Sequence, residues 1–213
     1  MKIAIPLDEK GMLPDRFGKY SSPELRRDGN NICSFPIEVS GVPEGAKSLA
    51  LSLVDYDSVP VCGFAWIHWA ACGVSPDTAL IPENASHSGE FSFVQGSNSC
   101  LSRAEETSEE VIRGYIGPCP PDRDHRYTLT VYALDCELDL QPGFYFNELH
   151  WALRGHILDS ERARDLAPTG TPDTSMGNEQ ILLPSRRSSG DEYFPKRSGS
   201  MPFSSNGIAI FIV

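Results

Sequence analysis

The stretch KSLALSLVDYDSVP, residues 47–60, joins a buried strand to a polar turn. Leu49, Leu51 and Leu53 alternate with smaller residues, so both faces of an extended segment are largely apolar. A strand that is apolar on both faces is typical of the centre of a sheet. The next residues include Asp55 and Asp57, and aspartate favours turns because its side chain bonds the nearby backbone.

Three further segments have strand patterns. Residues 63–72 are rich in aromatic and small apolar residues, residues 126–134 in Tyr, Thr and Val, and residues 31–39 form a shorter candidate. Simple alternation along residues 63–72 places Trp66 and His68 on one face, with Ile67 and Trp69 on the other. Little helix separates these strands, so the sequence predicts a mainly β fold, a β-sandwich with a few peripheral helices.

Two segments have helical patterns. Residues 102–113 are short and rich in glutamate, and residues 147–164 carry leucines at helical spacing after Asn147, which would cap the helix. Beyond residue 165 the composition shifts to Pro, Gly, Ser, Thr and Asn. We therefore expect one domain over residues 1–165 and a divergent, flexible extension over residues 166–213, whose last apolar run could add an edge strand.

The bulk composition excludes several classes of protein. A net charge of −11 argues against binding to nucleic acid and to anionic membranes. No apolar run approaches the roughly 18 residues that a membrane span needs, so membrane insertion is not expected. The N-terminal residues do not have a secretory pattern, which predicts a cytoplasmic protein with reduced cysteines. None of the six cysteines forms a C-x-x-C pair, so no metal site is indicated.

Two polar clusters follow the strands. Asp55 and Asp57, two residues apart on an extended chain, would point to the same side and form a charged rim, although a plain turn is the simpler interpretation. His68 lies among aromatic residues that would keep its ring neutral. One ring nitrogen could then bond a protein carboxylate while the other faces a ligand, and the alternative is a satisfied core histidine.

The third cluster is GYIGPCPPDRDHRY, residues 114–127. Three prolines in four positions make a stiff loop, and Gly117 would let the backbone approach a ligand. Free N–H groups of Gly117 and Cys119 would form a small anion-binding nest. His125 and Arg126 then lead into a strand. The alternative is a rigid connection with Arg126 in a structural ion pair.

Together these clusters resemble the phosphatidylethanolamine-binding protein family, in particular its bacterial and archaeal Raf-kinase-inhibitor-like branch. In that family an Asp-Pro-Asp-x-x-Pro-type segment, a Gly…His-Trp strand and a Gly-Pro-x-Pro-Pro…His-Arg-Tyr loop line one pocket. Residues 55–60, 63–69 and 114–127 repeat that order, with Tyr56 in place of the common proline. The resemblance covers about residues 1–160.

The resemblance implies a non-catalytic pocket, without a cofactor, for a small anion such as phosphate, acetate or a phospholipid headgroup. Asp55 and His68 would form its back and His125 one side. The wider family's kinase inhibition implies a protein partner, and the oligomeric state stays open, with a homodimer as one option. The implied binding residues are Asp55, Asp57, His68, Gly117, Pro118, Cys119 and His125.

Two features leave alternatives open: the cysteine in the loop and the C-terminal segment, which departs from the family pattern. Cys119 with a nearby histidine, or the Asp and His cluster, could serve a small-molecule hydrolase, although Cys119 lies between prolines and not at a helix N-terminus. The chain also continues for about 50 residues where the family would end in a short Lys/Gly/Tyr segment. A frameshifted or fused end and a genuine extension both explain this.

Overall fold

The computed structural model of this protein describes residues 1–103 and 105–168. Its strands are β1 (Lys2–Ala4), β2 (Met12–Leu13), β3 (Arg26–Arg27), β4 (Asn30–Asn31), β5 (Ile37–Ser40), β6 (Ser48–Asp55), β7 (Trp66–Val74), β8 (Leu80–Ile81), β9 (Val94–Gln95), β10 (Tyr127–Leu134) and β11 (Ile157–Pro168). Its α-helices are α1 (Val59–Cys62), α2 (Ala85–Ser88), α3 (Glu109–Ile112) and α4 (Phe146–Ala152), and 3₁₀ turns occupy Asp15–Phe17, Pro23–Leu25 and Ser99–Arg103.

The strands form one large and two small sheets. The large sheet has the order β2-β11-β10-β6-β7-β9, and the smaller sheets are β1-β5-β8 and β3-β4. β11 and β2 run parallel, whereas the other paired strands are antiparallel. β6 lies between β10 and β7 and is buried along its whole length, which confirms the prediction of a central strand.

The main core lies between the large sheet and the β1-β5-β8 sheet. Leu49, Leu51 and Leu53 from β6 pack there with Ile37 and Val39 from β5. Each such side chain stabilises the fold by roughly 1.5–3 kcal/mol when it leaves water. Two sheets that share one apolar layer make the predicted β-sandwich.

Part of the outer face of the large sheet is covered by α4. Leu149 and Leu153 of this helix pack on Ala50, Ala70 and Cys72, which form a second buried cluster. β6 therefore buries both of its faces: Leu49, Leu51 and Leu53 point to the main core, and the smaller Ala50 points to the outer cluster.

A bulge in β7 places Ile67 and Trp69, which alternation put on one face, on opposite faces of the sheet. The pairing with β6 steps from Val54–Ile67 to Leu53–Trp69, so His68 is an extra residue in the ladder. Ile67 consequently packs in the outer cluster, whereas Trp69 is in the main core. Simple alternation was wrong here because a bulge adds one residue and re-aims the side chains around it.

The prediction of a helix over residues 147–164 was also wrong. The helix is only Phe146–Ala152, and its N-cap is Tyr145, not Asn147. Gly155 then takes a positive φ of 81°, a conformation that favours glycine. From Ile157 onward the chain pairs with β10 as β11. Hydrogen bonds to the backbone N–H and C=O groups along β10 stabilise this strand more than the helical preference of its residues stabilises a helix.

Other predicted bounds were too long. The expected helix over residues 102–113 is a 3₁₀ turn that ends at Arg103 and a separate short helix, α3. The expected strand over residues 31–39 is split into β4 and β5. The first three residues of the predicted extension, 166–168, belong to β11 and pair with β2 or β10, and the rest of it lies outside the described residues.

Within the described residues, no helix has the length and apolar character needed to cross a membrane.

Candidate functional site

The three polar clusters meet at one end of the large sheet. Asp55, the last residue of β6, pairs with Tyr127 at the start of β10 and with Trp66 at the start of β7. The prolyl loop before β10 is fastened to β7 as well, since Ile116 N–H donates to the His68 carbonyl at 3.0 Å. Antiparallel pairing therefore brings together segments that are far apart in sequence.

His125 is held between two carboxylates. Its Nδ1 lies 2.7 Å from Asp55 Oδ2, its Nε2 lies 2.8 Å from Asp122 Oδ1, and its side chain is only 1% exposed. Burial lowers the pKa of His125, but the hydrogen bonds and charges of Asp55 and Asp122 together outweigh burial and raise it. Because two acceptors flank the ring, it is favoured as an imidazolium that donates from both nitrogens.

This arrangement corrects two expectations. The carboxylate of Asp55 binds His125 and not His68. The ring nitrogens of His125 are both engaged by protein carboxylates, so His125 buttresses the site and has no nitrogen left for a ligand. Asp122, which carries the second of these carboxylates, was not among the predicted residues.

His68 is turned inward by the bulge and binds the loop. Its Nδ1 lies 2.9 Å from the Ile116 carbonyl, which can only accept, so Nδ1 carries the proton. Burial lowers the pKa of His68 to about 4. At neutral pH the ring is therefore neutral, as predicted, and Nε2 is an acceptor that makes no hydrogen bond to a described residue.

Tyr127 is a second residue, after Asp122, that was not among the predicted site residues. Its ring packs edge-on against His68, with centroids 5.1 Å apart, and its side chain is fully buried. Its hydroxyl has no hydrogen-bond partner among the described residues. Burial, and next the charge of Asp55, raise the pKa of this hydroxyl, so it stays protonated and available as a donor.

The available signal for Tyr127 was its place in the strand pattern. Tyr127, Leu129 and Val131 alternate along β10 and all point into the main core. A tyrosine at an inward position needs a partner for its hydroxyl, and that requirement could have marked it.

The prolyl loop contributes less than predicted. Gly117 N–H donates to the Asn31 carbonyl at 2.8 Å, so it is not free for a ligand. A Cβ at Gly117 would lie 2.5 Å from the Phe17 carbonyl oxygen, so this glycine serves close packing against protein and not a close approach by ligand. Pro118 is buried. Cys119 is exposed, and its N–H makes no hydrogen bond to a described residue.

Replacing Gly117 with alanine should therefore lower stability. Overpacking typically costs about 1–3 kcal/mol. The new methyl group would meet the backbone oxygen of Phe17 and the Cβ of Asn31, and neither atom can move away by a simple side-chain rotation. Urea unfolding measures this loss. Gly63→Ala separates backbone strain from overpacking: among the described residues nothing lies within 4 Å of its Cβ position, so it should show only the cost of its positive φ of 91°. An unchanged unfolding midpoint in Gly117→Ala would show that the loop shifts without cost.

Within the described residues, Asp57 makes no hydrogen bond to either histidine of this cluster, although its charge acts on the Tyr127 hydroxyl. It accepts the Arg126 N–H at 3.0 Å and lines an open groove of about 380 Å³ on the outer face of the large sheet, beside Ser52 and Thr130. The prediction that Asp55 and Asp57 share one side was wrong, because β6 ends at Asp55 and the chain turns before Asp57.

The match to known proteins covers most of the described chain. A sequence model of the phosphatidylethanolamine-binding protein family matches residues 5–164. The Bacillus subtilis protein YxkA, described only as uncharacterized, is 50% identical over 147 residues, which cover 68% of this chain and 88% of that protein.

Two crystal structures share the fold. A Chlamydia trachomatis protein, CT736, described as a putative phosphatidylethanolamine-binding protein homolog, has a TM-score of 0.60 and 30% identity, covering 75% of this chain and 90% of that one. Escherichia coli YbcL, described as a new member of the mammalian family, has a TM-score of 0.54 and 24% identity, covering 66% and 82%.

Proposed function

Because this chain belongs to the phosphatidylethanolamine-binding protein family, we propose that it binds a small oxyanion beside His68 and Tyr127 and does not alter it chemically. The ligand class is phosphate, a carboxylate or a phosphate-bearing lipid headgroup. One observation carries the proposal: the buried Tyr127 hydroxyl has no partner among the described residues, and the tyrosine ring that carries it packs edge-on against the neutral His68. A buried donor without a partner costs about 1–3 kcal/mol, which an anion would recover.

The donor and acceptor pattern fits an oxyanion that carries one proton. The Tyr127 hydroxyl can donate to a charged oxygen, and the exposed Cys119 N–H can donate to a second. The Nε2 atom of His68 can accept the hydrogen of a P–OH or carboxylic acid group. Fixed dipoles of this kind bind an anion without a basic surface, which agrees with a net charge of −11.

The contacts support binding over the alternative of hydrolysis. A thiol nucleophile needs a base within hydrogen-bond reach. Within the described residues Cys119 has no hydrogen bond to a histidine, while the nitrogens of His125 are engaged by carboxylates. The nearby Ser58 hydroxyl lies 2.7 Å from the Asp55 carbonyl and 2.9 Å from the Phe64 carbonyl, so its one hydrogen is directed to backbone acceptors and not to a base.

The proposal is tested with Tyr127→Phe. This change removes one charge-assisted hydrogen bond, so affinity for inorganic phosphate should fall about 10-fold in an NMR titration. The stability of the ligand-free protein should stay the same or rise, because the variant loses a buried hydroxyl that has no partner among residues 1–103 and 105–168. Tyr132→Phe, on the opposite face of β10 at the outer groove, is the control and should bind phosphate normally.

The opposite pattern would reject the proposal. If Tyr127→Phe lost stability while phosphate affinity stayed unchanged, the hydroxyl would have a structural partner and no role in binding. Titrations with acetate and phosphoethanolamine, run in parallel, distinguish a carboxylate from a headgroup ligand.

Other expectations from the sequence stay predictions. These are a protein partner for kinase-inhibitor-like regulation and a cytoplasmic location, while the oligomeric state stays open with a homodimer as one option.

A further inference from the structure

A second group of polar side chains lies at the opposite end of β10. This strand spans Tyr127–Leu134, so its two ends are roughly 23 Å apart at about 3.3 Å per residue. At the far end Leu134 pairs with Ile157, and Asp135 N–H donates to the His156 carbonyl at 3.0 Å. These backbone pairs hold together the two ends of the connection between β10 and β11, residues 135–156.

Three different metal-ligating side chains meet where this connection begins and ends. Asp135, Cys136 and His156 each offer one ligand atom, and the three atoms lie within 4.8 Å of one another. His156 Nδ1 lies 2.8 Å from Asp135 Oδ1. Within residues 1–103 and 105–168, this is the one group of three such residues at that spacing.

We propose that Asp135, Cys136 and His156 bind a divalent transition-metal ion of the zinc class, with water completing the coordination. The donor set decides the metal class. A thiolate and an imidazole select zinc-like ions, whereas magnesium and calcium prefer oxygen ligands alone. Three protein ligands and an open fourth position are typical of ions that remain accessible to solvent.

The geometry needs only small side-chain movements. Bonds of about 2.0–2.3 Å in a tetrahedral site place the ligand atoms roughly 3.3–3.8 Å apart. The side chains of Asp135 and His156 are 47% and 46% exposed, so they can rotate toward an ion, and the ion has access from solvent. Binding releases the proton of the Cys136 thiol to solvent.

The backbone beneath the site is already fixed. The Ser48 hydroxyl donates to the Cys136 carbonyl at 2.6 Å, and Lys47 N–H donates to the Leu134 carbonyl at 2.7 Å. Residues 135–139, Asp-Cys-Glu-Leu-Asp, also carry three carboxylates, which attract a cation. The three ligand residues lie in the turns that directly follow β10 and precede β11, and these backbone hydrogen bonds fasten the turns to the ends of β6 and β10.

The first experiment is a cobalt(II) titration of the full chain under reducing conditions. Cobalt(II) bound to a thiolate absorbs strongly in the near ultraviolet, so wild type should show this band with one ion per chain. Cys136→Ser should abolish the band and weaken zinc binding roughly 100-fold, since serine is a poor ligand for this class of ion. Cys62→Ser is the matched control, because Cys62 is also a half-buried, unpaired thiol.

A second variant separates metal binding from folding. His156→Gln keeps the backbone pair with Asp135 and should also weaken zinc binding, whereas His150→Gln, at another exposed histidine, should not. Zinc should raise the melting temperature of wild type but not of Cys136→Ser. The proposal is overturned if wild type lacks the cobalt band, if the band persists in Cys136→Ser, or if the two control variants lose zinc binding equally.

Discussion

Replacing Asp55 with alanine should lower the free energy of unfolding by about 3–5 kcal/mol, the usual cost of breaking a buried ion pair. Asp55 is 3% exposed and accepts from both His125 Nδ1 and the Ser58 N–H. Alanine would leave the buried imidazolium of His125 with Asp122 as its one carboxylate, and Asp122 is half exposed. Urea unfolding at pH 6 measures the loss.

Asp57→Ala is the matched control for this prediction. Asp57 is two residues away and accepts the Arg126 N–H at 3.0 Å, but it is not paired with His125. Asp57→Ala should therefore lower the free energy of unfolding less than Asp55→Ala. Asp55→Asn should also cost less than alanine, because it retains the shape and one acceptor oxygen. Equal losses in Asp55→Ala and Asp57→Ala would contradict the buried-pair interpretation.

The pH dependence gives a further check on the same pair. Because the pKa of His125 is raised in the folded protein, its stabilising contribution is complete below the unfolded value of about 6.5. That contribution is lost as the pH rises through the raised pKa. The difference in stability between wild type and Asp55→Ala should therefore shrink as the pH increases above about 6.5.

Replacing His68 with glutamine should weaken phosphate binding roughly 10- to 100-fold. The neutral ring holds Nε2 at a fixed point as the acceptor for the ligand hydrogen, and a glutamine that donates to the Ile116 carbonyl cannot place an acceptor at the same point. Glutamine can still donate to the Ile116 carbonyl and fill most of the space, so the fold should survive. His68 is 5% exposed, and an alanine would leave a cavity as well as an unpaired carbonyl.

His87→Gln is the control for His68→Gln. His87 likewise places a ring nitrogen 3.1 Å from a backbone carbonyl, that of Tyr115, but it lies outside the candidate site. Phosphate titrations followed by the histidine ring signals should show that bound phosphate raises the pKa of His68 in wild type. If His68→Gln and His87→Gln bind phosphate equally well, then His68 is a core histidine.

Cys119→Ser distinguishes binding from catalysis in the same assay. It should leave phosphate affinity nearly unchanged, because the loop contributes a backbone N–H and not the sulfur. A hydrolase would instead lose its turnover in Cys119→Ser.

The sequence by itself determined the architecture and the family. The apolar pattern of residues 47–54 marks a central strand, because a strand with two apolar faces is stable in water only when other elements cover both of them. The order of the three polar clusters then identified the family. It also brought Asp55, His68 and His125 to one end of the sheet, since antiparallel neighbours must meet at their ends.

Tertiary structure decided which of these residues pair and which way they face. The bulge at His68 changes a strand face through one extra residue, which alternation in the sequence does not reveal. The partner of Asp55, the burial of the Tyr127 hydroxyl without a hydrogen bond to any described residue, and the meeting of Cys136 with His156 all depend on contacts between distant segments. Local propensity also failed at β11, where pairing with β10 outweighed a helical pattern, because a strand is stabilised by its neighbours and not by its own sequence alone.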